Sequence, residues 1–284
     1  MKKHLARILA ASLAALLLFG LCACGKTEKS LTVAIPNDTT NEARALVLLE
    51  NLGLIKLKAG AGITATPLDV EENPHNLVFQ EVEAAQLPNV RQDVDYAVIN
   101  SNYAIQAGLN PTKDALGIEG SASAYSNILA VKSGSEEAPL VLALKAALES
   151  KQVADFIASK YDGAVVSVVD KPTDGYDPAL DYEALAGQKI SVAASPTPHA
   201  EILAVAGEIL KEKNITLEIV EFTDYVQPNN VVESGELDAN YFQHLPYLDD
   251  FNQENGTHIV SVTAIHVEPL GIYGGRQTSL DPIK

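Results

Sequence analysis

The chain states one structural plan twice. From Leu31 it reads LTVAIPNDTTNEARALVLLENLGLI, and from Lys189 it reads KISVAASPTPHAEILAVAGEILKEKNI. Each is a run of β-branched and small residues, a polar turn containing proline, and then apolar residues at helical spacing. These are Leu46, Leu49 and Leu52 in the first copy and Ile202, Val205 and Ile209 in the second. The echo continues further on, where VFQEVEAAQLPNVRQDVDYAVINSNYA (78–104) runs alongside EIVEFTDYVQPNNVVESGELDANYFQH (218–244). This matched order predicts an α/β protein of two βαβ-type lobes, each a parallel sheet flanked by helices. Two such lobes leave a cleft where strand carboxyl ends and helix N-termini gather. Asn41, Arg44, Asn100, Thr197, Pro198 and Asn240 all fall at such positions. Residues 138–161 carry a helical pattern, and Asn255-Gly256 marks a turn before a strand. Between the two copies, 168–187 is punctuated by Pro172, Gly175, Pro178 and Gly187 and reads as a turn-rich connector rather than a core element.

The N-terminus is of another kind. Lys2, Lys3 and Arg7 precede an apolar run from Ile8 to Leu21, too short for an easy membrane span and suited to a secretory signal. The run ends in LCACGK, which resembles a bacterial lipobox with Cys24 as the lipidated first residue of the mature chain. A plain signal peptide cut elsewhere, or a retained anchor, is the other reading. Loss of Cys22 with the signal and acylation of Cys24 remove both cysteines, leaving no disulfide, thiolate metal site or thiol nucleophile. At 47% hydrophobic and 20% charged residues the remainder has the makings of a globular core. A net charge of −17 excludes a nucleic-acid partner, because phosphate binding needs a positive surface. It also leaves membrane attachment to the lipid, since anionic headgroups repel such a body. The expected location is the outer face of the bacterial cytoplasmic membrane.

Arg44 opens the chemistry. A helix N-terminus attracts anions, and a guanidinium grips a carboxylate at two points, so Arg44 points to a ligand carboxylate. A surface pairing with Glu42 or another acid is the competing reading. Asn100, Asn102 and Asn127 can accept from an ammonium and donate to a carboxylate, which suits a zwitterion; they also suit turns and caps. Tyr225, Tyr241, Phe242, His244 and Tyr247 are concentrated in a chain only 6% aromatic. They fit an apolar side-chain pocket or ordinary core packing equally. His75, His199, His244, His258 and His266 have no metal-ligand spacing, which leaves only a site assembled across the cleft, for example His199 and His244 with carboxylates. The sequence has no G-x-S-x-G, no P-loop and no G-x-G-x-x-G, so no catalytic motif supports an enzyme.

The stretches VAIPNDTTNEARALVLLENLGLIKLKAGAG (33–62), EAAQLP (83–88), AVINSNYAIQAGLNPTKDAL (97–116), ASPTPHAEIL (194–203), LEIVEFTDYVQPN (217–229) and GELDANYFQHLPYL (235–248) closely resemble the methionine-binding lipoprotein (MetQ/NlpA-type) family. In the usual family order the SPTPHAEIL half comes first and leads through DANYFQH and an SLD turn into AIPNDTTN. Here AIPNDTTN comes first and the other half follows the connector, so the chain resembles a circular permutant.

The resemblance implies a two-lobed, periplasmic-binding-protein-like fold of type II, a Venus flytrap, that captures L-methionine and delivers it to an ABC permease whose partner ATPase supplies the energy. Arg44 would then bind the ligand carboxylate and Asn127 its α-amino or carboxylate group, with Asn100 and Asn41 assisting. Tyr225, Phe242 and His244 would line the thioether pocket. The expected organisation is a signal peptide over 1–23, a lipidated tether over 24–30, lobe A over 31–118 with 271–284 returning to it, and lobe B over 119–270. No cofactor is expected, and the chain is expected to be a monomer, with a lobe-swapped dimer as the alternative. D-methionine, methionine sulfoxide, a methionine dipeptide or another apolar amino acid are alternative ligands. A metal-delivery lipoprotein is the rival reading, and an enzyme acting on an amino-acid derivative the third.

Overall fold

A computed structural model describes residues 30–120 and 125–284. The expected signal peptide and Cys24 lie outside the described residues. Leu31–Lys284 forms one compact unit.

The elements that build the site run in this order: β1 (Leu31–Pro36), α1 (Thr39–Asn51), β2 (Leu77–Val82), β3 (Tyr96–Ile99), α2 (Ser101–Gln106), β4 (Gly117–Ile118), β5 (Asn127–Lys132), α3 (Pro139–Leu148), α4 (Lys151–Tyr161), β6 (Val166–Ser167), β7 (Lys189–Ala194), α5 (Glu201–Lys211), β8 (Thr216–Glu221), α6 (Gln227–Glu233), β9 (Ala239–His244), α7 (Leu245–Asn255), β10 (Ile259–Val267) and β11 (Gly271–Gly274). They form two mixed sheets, β2-β1-β3-β11-β4 and β8-β7-β9-β5-β10-β6.

The sequence echo is visible in these orders. In each sheet the first strand of the repeated plan is central, the second lies at the edge and the third on its other side. Those three strands are parallel in both sheets. The sheets are not parallel throughout, as the repeat alone predicts. Strands β5, β10 and β11 add antiparallel pairings. The repeat covers only the parallel units; the chain passes between sheets from β4 to β5 and returns from β10 to β11. Composition follows position. Central YAVI of β3 and ANYFQH of β9 are buried along their whole length, whereas edge strands β2 and β8 alternate toward solvent.

The connector is more tightly docked than its punctuation suggests. Tyr176, Leu180 and Tyr182 pack on the second sheet's core, and Leu185 is buried in it. Thr173 pairs with Ser150 beside the junction of α3 and α4, and Tyr176 Oη donates to the carbonyl of Ile209 at 3.2 Å. Gly175 makes the approach feasible: its φ is +94°, and a Cβ there would sit 2.9 Å from Ile209 Cγ2. Turn residues here shape a loop whose aromatic rings still find apolar cover.

Segment 275–283 returns to the start of β1. The Asp95 carboxylate accepts from the Thr32 amide at 2.9 Å and from Gln277 Nε2 at 3.0 Å, and Leu31, Leu280 and Ile283 share one core cluster.

Candidate functional site

The site begins at the turns that follow the repeated strands. After β1, Asp38 caps α1 by accepting from the Asn41 amide at 2.9 Å. The same carboxylate oxygen accepts from Asn41 Nδ2 at 2.8 Å, which turns Asn41 Oδ1 toward Asn100. Asn100 directly follows β3 and stands at the N-cap position of α2, yet its side chain caps nothing. Its Nδ2 donates to Asn41 Oδ1 at 2.8 Å, and its own Oδ1 is buried without a hydrogen-bond partner among the described residues.

Arg44, in the second turn of α1, meets an acid of its own chain. Nε and Nη2 donate to the two carboxylate oxygens of Glu119 at 2.7 and 2.5 Å, and Nη2 also donates to the Glu268 carbonyl at 3.1 Å. The Tyr125 ring lies 4.4 Å from the guanidinium carbon. Glu119 further accepts from the Leu270 amide at 2.9 Å. Glu119 and Glu268 stand on the two segments by which the chain leaves and re-enters the first sheet, so Arg44 ties those segments together. The carboxylate expected from a ligand is here supplied first by Glu119, an acid 75 residues away that no local pattern marks.

The second sheet contributes the opposite wall. His199, in the turn before α5, sets its Nε2 2.8 Å from Asn127 Oδ1 at the start of β5. His266, near the end of β10, has its Nδ1 hydrogen-bonded to Tyr241 Oη and its Nε2 3.3 Å from Glu268 Oε1. Burial pulls both imidazoles down to about 3, so both are neutral. Burial also raises the Glu268 carboxyl, against the opposing pull of His199 and Arg44. Glu268 Oε2 is buried and unpartnered among the described residues. Tyr225, Phe242 and Tyr247 form an aromatic cluster with Phe251, and His244 stands edge-on to Tyr125 with its Nδ1 accepting from the Tyr247 amide at 3.4 Å.

These groups meet in one pocket, lined by Asn41, Arg44, Asn100, Asn127, Tyr225, Phe242 and His244. All seven sequence-selected residues therefore lie together. The lining also includes Asn102 and Tyr247, weighed in the sequence, and Ser101, Gln243 and Glu268, which were not. Glu268 belongs to a strand end whose spacing carries no signal; only the return of β10 beside β5 brings it to the cleft. Asn240, at an equally favourable sequence position, is instead committed to Asn229, Gln243 and the Pro228 carbonyl. Tyr225 Oη donates to Asn102 Oδ1 at 2.6 Å and Tyr103 Oη to the Thr223 carbonyl at 3.1 Å, so the two walls are joined by hydrogen bonds.

Among the described residues, one group has metal-ligand geometry: His199, His266 and Glu268, with ligand atoms within 4.8 Å of one another. The pairing of His199 with His244, the example the sequence left open, is not what forms, because His244 is turned to Tyr125 and the α7 N-terminus.

A model of the NlpA lipoprotein family matches residues 26–169 and 190–284, omitting the stretch between them that holds most of the connector. The chain belongs to the NlpA lipoprotein family. Among individual NlpA-type relatives, the membrane lipoprotein TpN32 of Treponema pallidum is 50% identical over 135 residues, covering 48% of this chain and 50% of that protein. The D-methionine-binding lipoprotein MetQ of Escherichia coli K12 is 43% identical over 136 residues, covering 47% of this chain and 50% of that protein. A nutrient-binding protein of Burkholderia cenocepacia solved with methionine is 48% identical, with a TM-score of 0.47 over 48% of this chain and 58% of its own. The chain thus spans about half the length of the curated relatives it matches. Among the described residues no helix is long and apolar enough to cross a membrane.

Proposed function

We propose that this lipoprotein binds the zwitterion of an amino acid of the methionine class between its two lobes and delivers it to an ABC permease. The observation that carries the reading is the pairing of two unpartnered buried acceptors, Asn100 Oδ1 and Glu268 Oε2, with an aromatic wall in a single pocket. Acceptors of this kind receive an ammonium. Asn127 Nδ2, left over once Oδ1 is engaged by His199, and Arg44 offer donors to a carboxylate. Tyr225, Phe242, Tyr247 and His244 suit a thioether, which gains about 0.3–1.5 kcal/mol per aromatic contact. Relatives named D-methionine-binding lipoproteins favour methionine as the side chain. Cys24 would carry the lipid anchor, the chain would act as a monomer, and ATP hydrolysis would belong to a partner ATPase.

The order of the halves is, on this reading, a circular permutation. Two separated family-model segments, relatives that align over only half of the chain, and segment 275–283 lying against β1 all favour it. A chain rebuilt with 190–284 ahead of 31–167 and without the connector is expected to fold and bind the same ligand; failure to fold would refute the permutation.

The metal reading has one observation in its favour, the His199, His266 and Glu268 group. Calorimetric titration of stripped, refolded protein with L-methionine, D-methionine, glycyl-methionine and zinc separates the two. Tight methionine binding insensitive to chelator supports the proposal. Zinc binding without any amino-acid binding would sink it.

A further inference from the structure

Each wall of the pocket is backed by a relay of hydrogen bonds that starts outside it. On the first wall Asp38, an acceptor when ionised, fixes the Asn41 amide so that its oxygen faces Asn100. Asn100 must then offer Nδ2 backward and Oδ1 forward. On the second wall the ionised Glu268 Oε1 takes its donor from His266 Nε2 at 3.3 Å, His199 Nε2 being farther off at 3.6 Å and engaged with Asn127 Oδ1, and this places the single proton of neutral His266 on Nε2. Nδ1 is then bare, and Tyr241 Oη donates to it. Glu268 is held by one oxygen and presents the other, Oε2, unpartnered. Neither Asp38 nor His266 lines the pocket.

We infer that Asp38 and His266 are positioning residues that fix the pocket's two free oxygens as acceptors, and so make a free α-ammonium obligatory in the ligand. The inference rests on the zwitterion reading above and adds what enforces it. An amide free to rotate would serve a donor or an acceptor; one locked by Asp38 through Asn41 serves only a donor. A carboxylate gripped by His266 cannot swing away to solvent when an uncharged ligand enters. A deaminated ligand therefore leaves two buried acceptors unsatisfied, whereas its thioether contacts are unchanged.

The test uses the full-length chain in detergent. In ligand-free protein, imidazole-¹⁵N NMR should find His266 as the neutral Nε2–H tautomer throughout pH 5–8. An Nδ1–H tautomer, or an imidazolium titrating near an ordinary histidine value, would overturn the relay whatever the protein binds. Calorimetry then compares L-methionine, 4-(methylthio)butanoate, which lacks the ammonium, and L-methioninol, which lacks the carboxylate. The wild-type preference for methionine over the deaminated acid should be about 100-fold or more, the scale of charge-assisted hydrogen bonds. His266→Phe and Asp38→Ala should each reduce that preference to below about tenfold. The preference for methionine over methioninol should stay as it was. Asp38→Asn, which keeps an oxygen for both Asn41 donors, should restore it. Tyr241→Phe is a second variant on the His266 side and should shift its tautomer toward a mixture. Unchanged selectivity in folded His266→Phe and Asp38→Ala proteins would refute the inference while leaving the zwitterion reading intact. Failure of the wild type to bind any amino acid would refute that reading, with the tautomer measurement still judging the relay.

Discussion

The two lobes solve one problem with different chemistry. Both bring their third parallel strand to a residue in the N-cap position of the next helix: Asn100 before α2, His244 before α7. His244 does cap its helix, by accepting from Tyr247, whereas Asn100 gives up capping and turns its amide to the pocket. The turns after the first strands differ as well. Asp38 caps α1 and frees Arg44 to reach the crossover segments, while in the second lobe the corresponding turn sinks His199 completely, where it holds Asn127. One backbone plan thus yields an amide relay on one side and an imidazole relay on the other. A repeated fold specifies where side chains emerge, and the side chains decide what emerges as donor or acceptor.

The comparison can be broken at several points, the first being the largest. Arg44→Ala should abolish detectable ligand binding and cost about 3–5 kcal/mol of stability, because Glu119 is left a nearly buried, unpaired charge. Urea unfolding beside calorimetry measures both. An unaltered midpoint would mean that Arg44 does not tie the crossovers. Acidification should weaken ligand affinity earlier than an ordinary carboxylate would. Glu268, faced by His199, His266 and Arg44, has its pKa raised by burial, so its charge is lost as pH falls through that elevated value. Dissociation constants between pH 8 and 4.5 report it, and Glu268→Gln should flatten the profile.

Tyr225→Phe removes the 2.6 Å bond to Asn102 that joins the walls, and affinity should fall by about three- to tenfold. Small-angle scattering should then show a more open ligand-free form. Gly175→Ala tests the connector rather than the site: a Cβ at positive φ against Ile209 should lower stability by about 1–3 kcal/mol and leave the dissociation constant alone. The remaining test lies on pH and belongs to Glu42. Burial, followed by the neighbouring charge of Glu81, raises its pKa to about 7. The folded state then binds more protons than the unfolded state between about 4.5 and 7, so stability falls as pH rises through that window. Glu42→Gln should therefore raise the melting temperature at pH 8 and leave it unchanged at pH 4.5.

Much of this was legible before any coordinates. Helical spacing at Leu46 and Leu49 marks a buried face, and both are fully buried. The repeat located the three parallel strands of each sheet, and all seven residues chosen for the cleft line it. The aromatic concentration at 241–247 divided between both of its readings: Tyr241 is core, Phe242 and Tyr247 are pocket. Glu119 and Glu268 escaped notice because they lie on crossovers, where neither periodicity nor turn chemistry applies. The antiparallel strands escaped for the same reason, since pairing direction there depends on how the chain travels between the sheets.

By itself, then, the sequence determined the two-lobed α/β plan, the placement of polar residues at strand ends, and an acidic body unsuited to nucleic acid. Those properties are local or additive: periodicity, turn chemistry and charge need no knowledge of distant partners. Tertiary structure alone decided that Arg44 grips Glu119, that Asn100 and Glu268 each keep one oxygen free, and that two neutral histidines stand behind Asn127 and Glu268. Hydrogen-bond roles follow from what each atom faces, and Asn41 and Asn100, Asn127 and His199, and Arg44 and Glu119 stand 59, 72 and 75 residues apart in the chain.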